Sequence, residues 1–267
     1  MFLKLFSIEW TRLIRRTLLW FTLIVCALYV WLSLANFYST NHTELATGAL
    51  KMPGVSFDLA NSLDQLLVAL PFLVIVAGNM LGNDYSQRTN QHWLMRSSRA
   101  SSLFSKFAML VLLTFIIQVI TLLVGGLTGA YYKTFVYDAA NQLNINWLAT
   151  VAAPFYMTLV NLPYIALTLL FTIVTRSAFF SVILGLGYTQ FIEFLLAGFF
   201  YGAGWTKWLF TNIHFSASFL LNSIGNRTVD IPSHLIAPIP ALAVAAVYTL
   251  TILLLATLLY RRQDLGG

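Results

Sequence analysis

Six stretches of roughly twenty mostly apolar residues recur along the chain, at about 17–36, 63–82, 107–130, 148–174, 178–200 and 237–260, with shorter, more polar segments between them. At about 1.5 Å per residue, each is long enough to cross a hydrocarbon layer about 30 Å thick as a helix. Period-two alternation is scarce, and the runs exceed the roughly ten residues of a barrel strand, so helices are the way to satisfy the backbone in lipid. The pattern predicts an all-α integral membrane protein, one transmembrane domain of six spans over residues 1–267.

Two further elements follow from patterning. In "FLKLFSIEWTRLIRR", residues 2–16, Phe2, Phe6, Trp10 and Leu13 recur at helical spacing while Lys4, Thr11 and Arg15 point elsewhere, which predicts an interfacial helix ahead of the first span. Residues 201–236, between the fifth and sixth spans, contain "WLFTNIHFSASFLL", apolar but too short to cross. This predicts a re-entrant or interfacial insert on the outer side, anchored by Trp205 and Trp208.

Composition supports the membrane reading: 59% of the 267 residues are hydrophobic and 9% are charged, against about 25% charged in an ordinary soluble domain. The net charge of +6 does not form a continuous soluble face, so nucleic acid is not an expected partner. The basic residues instead set orientation. If both termini lie inside, one side receives Lys4, Arg12, Arg15, Arg16, Arg88, Arg96, Arg99, Lys106, Arg176, Arg261 and Arg262, and the other only Lys51, Lys133, Lys207 and Arg227. The first set belongs on the cytoplasmic side. The first apolar run has no small-residue cleavage site, so it reads as a retained span and not a signal peptide. Cys26 lies inside that run as a packing residue, without a disulfide framework or a thiolate cluster.

Candidate chemistry is sparse. No glycine is followed by lysine, so the chain lacks a phosphate-cradling loop of the Walker type. His42, His92, His214 and His234 are scattered through predicted loops without metal-ligand spacing, and each reads as a solvated or interfacial histidine. No clustered His, Asp or Glu supports an intramembrane enzyme. One carboxylate, Glu193, falls deep in a predicted span, where it must face protein or a water-filled cavity. Stepping by four, Ser181, Gly185, Thr189, Glu193 and Ala197 form a small and polar ridge, suited either to close helix packing or to lining a translocation path. Pro154 and Pro163 predict a kink or tilt in the fourth span.

The segment 83–106 stands apart, because it interrupts two apolar runs with "NDYSQRTNQHWLMRSSRASSLFSK". Asp84 precedes Arg88 at favourable helical spacing, and Trp93 and Leu94 offer apolar contacts among charges. The order Asp84, Arg88, Thr89, Leu94, Met95, Ser97, Ser98, Arg99 and Lys106, together with the closing Tyr260, Arg261, Arg262, Asp264 and Leu265, resembles the type-2 permease family of ATP-binding-cassette exporters. Arg88 stands where that family usually has Gly, and Ser97 where it usually has Pro.

The resemblance implies a membrane-spanning exporter subunit in which residues 83–106 hold a cytoplasmic coupling helix seated on a separate ATPase subunit. Asp84, Arg88, Thr89, Trp93, Leu94, Arg96 and Arg99 would form that interface. It also implies a second permease subunit, of the same or a different chain, with ATP and Mg bound by the partner ATPase and no cofactor in this chain. The expected setting is a bacterial cytoplasmic membrane, its lipids in contact with the spans and both termini cytoplasmic. The aromatic content and scarcity of intramembrane charge point to an amphiphilic or hydrophobic cargo such as a peptide, drug or lipid-linked molecule. A different class of function, an ion- or proton-coupled carrier or channel, would place its chemistry on Glu193.

Overall fold

The computed structural model describes residues 2–40, 68–86, 99–136, 146–200, 202–225 and 230–263, and its regular elements are all helical among those residues. An N-terminal helix α1 (Phe2–Ile14) turns sharply into α2 (Thr17–Thr40); α3 (Leu70–Ser86) and α4 (Arg99–Tyr131) follow, α4 ending in a π-helical turn, Tyr132–Val136. Next come α5 (Trp147–Thr175), α6 (Ala178–Leu186), a π-helical stretch Gly187–Ile192, and α7 (Glu193–Phe199). A short 3-10 turn Thr206–Trp208 leads to α8 (Phe210–Ser218), then a 3-10 stretch Phe219–Gly225, and α9 (Pro238–Arg262) closes the chain.

Five of these helices are long and apolar enough to cross a membrane: Thr17–Thr40, Ala100–Val136, Trp147–Thr175, Ala178–Phe199 and Pro238–Arg262. The predicted second span is described as α3, 17 residues long, and its expected first residues, 63–67, lie outside the described ones. The third span differs from its predicted start at 107. Its helix begins at Arg99, because Ala100, Ser101, Ser102, Leu103, Phe104 and Ser105 contain no helix breaker and Leu103 and Ser105 find buried sites against neighbouring helices. The predicted coupling segment 83–106 is thus helical at both ends, with 87–98 outside the described residues.

Local chemistry sets the helix ends. The Asn146 side chain accepts the Ala149 N–H at 3.2 Å and starts α5, as side-chain oxygens do at helix N-caps. At its other end Arg176 takes a left-handed conformation, φ 53°, and donates its N–H to the Thr172 carbonyl at 2.9 Å, which lets Ser177 cap α6. Inside the spans, Thr114, Thr168, Thr172, Thr249 and Thr257 return their hydroxyls to carbonyls four residues earlier, so these polar side chains sit in apolar helices with their donors paired.

α5 is the central helix. In its most apolar stretch 67% of the residues are buried, against 22–39% in the other four candidate spans. One core joins Leu13, Leu19, Cys26, Leu73, Leu81, Leu110, Leu169 and Tyr260 from α1, α2, α3, α4, α5 and α9; a second sets α8 and the stretch after it against α5 and α9 through Met157, Ile213, Ala217, Leu221 and Ala245. Cys26 is buried as expected. Large side chains such as Phe179, Leu127, Phe199 and Leu250 remain exposed on the outer faces, which suits a protein whose surroundings are lipid.

Candidate functional site

Close helix packing is the first thing the predicted ridge on the fifth span accomplishes. Ser181, Gly185, Thr189 and Glu193 are all buried. Gly78 and Gly82 of α3 face this side: a Cβ at Gly78 would lie 2.7 Å from Val182 Cγ2, and one at Gly82 would run into the Ala178 backbone. A Cβ at Gly185 would meet Val74 of α3 at 2.6 Å and Thr168 of α5 at 3.1 Å. The sequence signal for this contact is Gly78-Asn79-Met80-Leu81-Gly82, a small-xxx-small pattern that lets helix backbones approach; reasoning from the ridge alone found one half of the interface.

The π-helical stretch explains why Glu193 shares the ridge. In a straight α-helix a row stepping by four drifts about 40° per step, which would swing Glu193 away from the face that buries Ser181 and Gly185. Residues in the wider turns of Gly187–Ile192 each rotate less, and this returns the carboxylate to the interior.

There Glu193 is fully buried and accepts five hydrogen bonds. Oε1 accepts from the Tyr188 hydroxyl at 2.9 Å and the Phe210 N–H at 2.9 Å. Oε2 accepts from the Tyr164 hydroxyl at 2.9 Å, the Thr211 N–H at 3.0 Å and the Thr211 hydroxyl at 2.7 Å. Phe210 and Thr211 are the first two residues of α8, whose N-terminal N–H groups lack intrahelical partners. The carboxylate therefore caps α8 from the neighbouring span and complements the positive end of its helix dipole. Tyr164 ties the same group to α5. Arranged this way, Glu193 holds the start of α8 against two candidate spans.

α8 itself does not lie on a surface, since Thr211, Ile213, His214, Ser216, Ala217 and Ser218 are buried against the bundle. His214 corrects the expectation of a solvated or interfacial histidine. It is fully buried, neither ring nitrogen has a hydrogen-bond partner, and burial lowers its pKa to about 4. The neutral imidazole packs as an apolar ring, edge-on to Phe215. Trp205 and Trp208, the predicted anchors, are half exposed. No group of three or more His, Cys, Asp or Glu residues with metal-binding geometry occurs among the described residues.

At the opposite end of α3, charge is buried differently. The Lys106 ammonium is fully buried and donates to Glu9 Oε1 of α1 and to Asp84 Oδ2 of α3, each at 2.7 Å. Arg12 approaches Glu9 at 3.6 Å. Lys106, expected among the cytoplasmic flanking bases, is thus an internal cation, and Asp84 turns its carboxylate toward it, leaving that side chain 13% exposed. The apolar spacing of α1 does not single out Glu9, whose partner Lys106 lies 97 residues further along the chain. Close by, the Tyr85 hydroxyl donates to Gln263 Oε1 at 2.9 Å, and Gln263 Nε2 donates to the Ile173 carbonyl, so the ends of α3, α5 and α9 meet at this end of the bundle.

Of the other predicted interface residues, Arg88, Thr89, Trp93, Leu94 and Arg96 lie outside the described residues, and Arg99 is placed as the first residue of α4. Between α4 and α5 an apolar groove of about 410 Å³ is lined by Val111, Leu112, Phe115, Phe155, Thr158 and Leu159 among others.

Among curated proteins, none matches the chain. The family model described as ABC-2 family transporter protein matches residues 5–192, from α1 through the π-helical stretch before Glu193. That match covers most of the 267 residues and includes the whole of 83–106, so the chain belongs to the ABC-2 transporter family and is a multi-pass membrane permease of an ABC transporter.

Proposed function

We propose that this chain is the membrane-spanning subunit of an ATP-driven exporter, pairing with a second permease subunit, identical or different, and with two separate ATPase subunits. Membership of the ABC-2 family implies partnership with ABC ATPase components. The observation that carries the reading is that the family match runs through residues 84–99, the charged interruption that resembles a coupling helix. In this reading Arg88, Thr89, Trp93, Leu94, Arg96 and Arg99 meet the ATPase, with Trp93 and the arginines as anchors of the kind that dominate interfaces.

Six spans follow if α3 crosses. Its helix runs from Leu70, packed beside Tyr164, to Asp84 beside Lys106, and at about 1.5 Å per residue its described part alone covers about 25 Å. Six crossings put both termini on one side, which the excess of basic residues marks as cytoplasmic, in a bacterial cytoplasmic membrane. The cargo is amphiphilic or hydrophobic. Support for this comes from the aromatic content and from the apolar groove between α4 and α5. The five donors around the Glu193 carboxylate, on α5, α8 and the π-helical stretch, support a structural role for it over an ion or proton site.

The test is vanadate-sensitive ATP hydrolysis in the complex purified from native membranes. Arg96→Glu with Arg99→Glu should abolish hydrolysis that co-purifies with the chain, while a folded Glu193→Gln protein should keep it. Uptake or release driven by an ion gradient without ATP, and lost in Glu193→Gln, would instead establish the carrier.

A further inference from the structure

The Lys106 cluster has a composition that anchoring alone does not require. Four charged groups from three helices meet: Glu9 and Arg12 of α1, Asp84 of α3 and Lys106 of α4. Their formal charges cancel, and the ammonium at the centre has no exposure to solvent. A residue that only marked the cytoplasmic flank of a span would sit in water or among headgroups.

Its position along the chain is specific. Asp84 lies two residues before the end of α3, and Lys106 two helical turns into α4. Residues 87–98, which join those two helices, are the segment that the exporter reading seats on the ATPase. The cluster therefore sits at the root of that segment and holds its two stems to each other and to α1. The apolar contacts around it run the same way: Leu13, Phe6 and Trp10 of α1 pack in one core with Leu81 of α3 and Leu103 of α4. An ammonium has three donors and no acceptor, so one Lys106 side chain can bind two carboxylates from different helices while its own helix runs on unbroken to Tyr131.

We propose that Lys106 is a positioning residue for transport: by binding Glu9 and Asp84 together it makes α1 and the facing ends of α3 and α4 move as one body, so that displacement of residues 87–98 reaches the N-terminal helix. This inference rests on the exporter reading above. It predicts that α1 is part of the moving assembly during the ATP cycle and not a passive float at the membrane surface.

Because a single neutral substitution leaves a charge buried without its partner, the informative variant removes all three groups at once: Glu9→Gln, Asp84→Asn and Lys106→Met. Well-packed neutral replacements of a buried ion cluster often keep the fold. Nitroxide labels at Ser7→Cys on α1, Phe104→Cys on α4 and Leu258→Cys on α9, all exposed positions, in a Cys26→Ala background, report distances in the complex with its ATPase. The two states compared are nucleotide-free and ATP with vanadate.

With the native cluster, the 7–104 distance should stay constant between states while the 7–258 distance changes. In the triple variant, still folded and still bound to its ATPase, the 7–104 distribution should broaden and the ATP-dependent change between 7 and 258 should shrink at least threefold. An equal 7–258 response in the triple variant overturns the role of Lys106 and leaves the exporter reading intact. So does a 7–258 distance that ignores ATP in a complex that hydrolyses it. A chain that binds no ATPase at all overturns the exporter reading, and with it this one.

Discussion

The two ends of α3 take charge out of water by different means. Near Leu70, Glu193 is a single carboxylate surrounded by neutral donors, three hydroxyls and two backbone N–H groups. Near Ser86, Lys106 is a single ammonium held by two carboxylates, with Arg12 balancing the sum. The first arrangement spreads one charge over fixed dipoles, most of them on α8 and α5. The second balances charges carried by separate helices, so any one of them can be altered only at the expense of the others. A neutral cage fixes an insert in place, whereas an ion cluster couples bodies that must keep step.

The largest effect expected from breaking this contrast is at the ion cluster. Lys106→Met leaves Asp84 without its cation and Glu9 with only the longer contact to Arg12, a loss of about 3–5 kcal/mol for a buried ion pair deprived of one partner. It should appear as a marked drop in detergent thermal stability. At the cage, Glu193→Gln keeps the shape but turns one acceptor into an NH2 group facing donors, and should cost about 2–3 kcal/mol; limited proteolysis should then find the 201–236 insert loosened first, whereas Lys106→Met should loosen α1. If both variants open the same segment, the two sites are not separate devices.

Between the two ends, α3 depends on its glycines. Gly82→Val would force its backbone off Ala178, with a cost of about 1–3 kcal/mol from overpacking and a loss of stability greater than that of Val at Gly198, where a Cβ meets nothing within 4 Å. Acid should test the cage end without substitution at Glu193. His214 is neutral in the fold down to about pH 4, while the unfolded chain binds a proton below about pH 6.5. Its contribution is therefore fully present above pH 6.5 and is lost as pH falls toward 4, about 1–3 kcal/mol in all. His214→Phe should flatten that part of the stability curve. The smallest effect should come from the triple variant at the ion cluster, which leaves only the part-exposed Arg12 charged and should unfold within about 1 kcal/mol of the native chain.

Five of the six expected spans were legible because apolar runs of twenty residues admit few other structures, and the ridge was legible because five small or polar residues recur at one helical spacing, four of them buried. The partners of the polar groups were not. Glu193 is met by Tyr164, Tyr188, Phe210 and Thr211, which are ordinary residues on three elements with no shared motif, and Glu193 reaches them only through a π-helical stretch that no propensity in "GYTQFI" announces. Lys106 looked like one more flanking base, since a sequence does not show that α1 folds back to bring Glu9 against the start of α4. The Gly78–Gly82 pair is a readable small-xxx-small signal for the other half of the ridge contact.

The measurement that bears most directly on the central claim is recovery of the chain from its native membranes with its partners attached. Tagged and gently extracted, it should bring down a nucleotide-binding ATPase subunit, and the folded Arg96→Glu, Arg99→Glu variant should not. If the unaltered chain comes out reproducibly alone, under conditions that keep other such complexes together, ATP-driven export through residues 84–99 is contradicted.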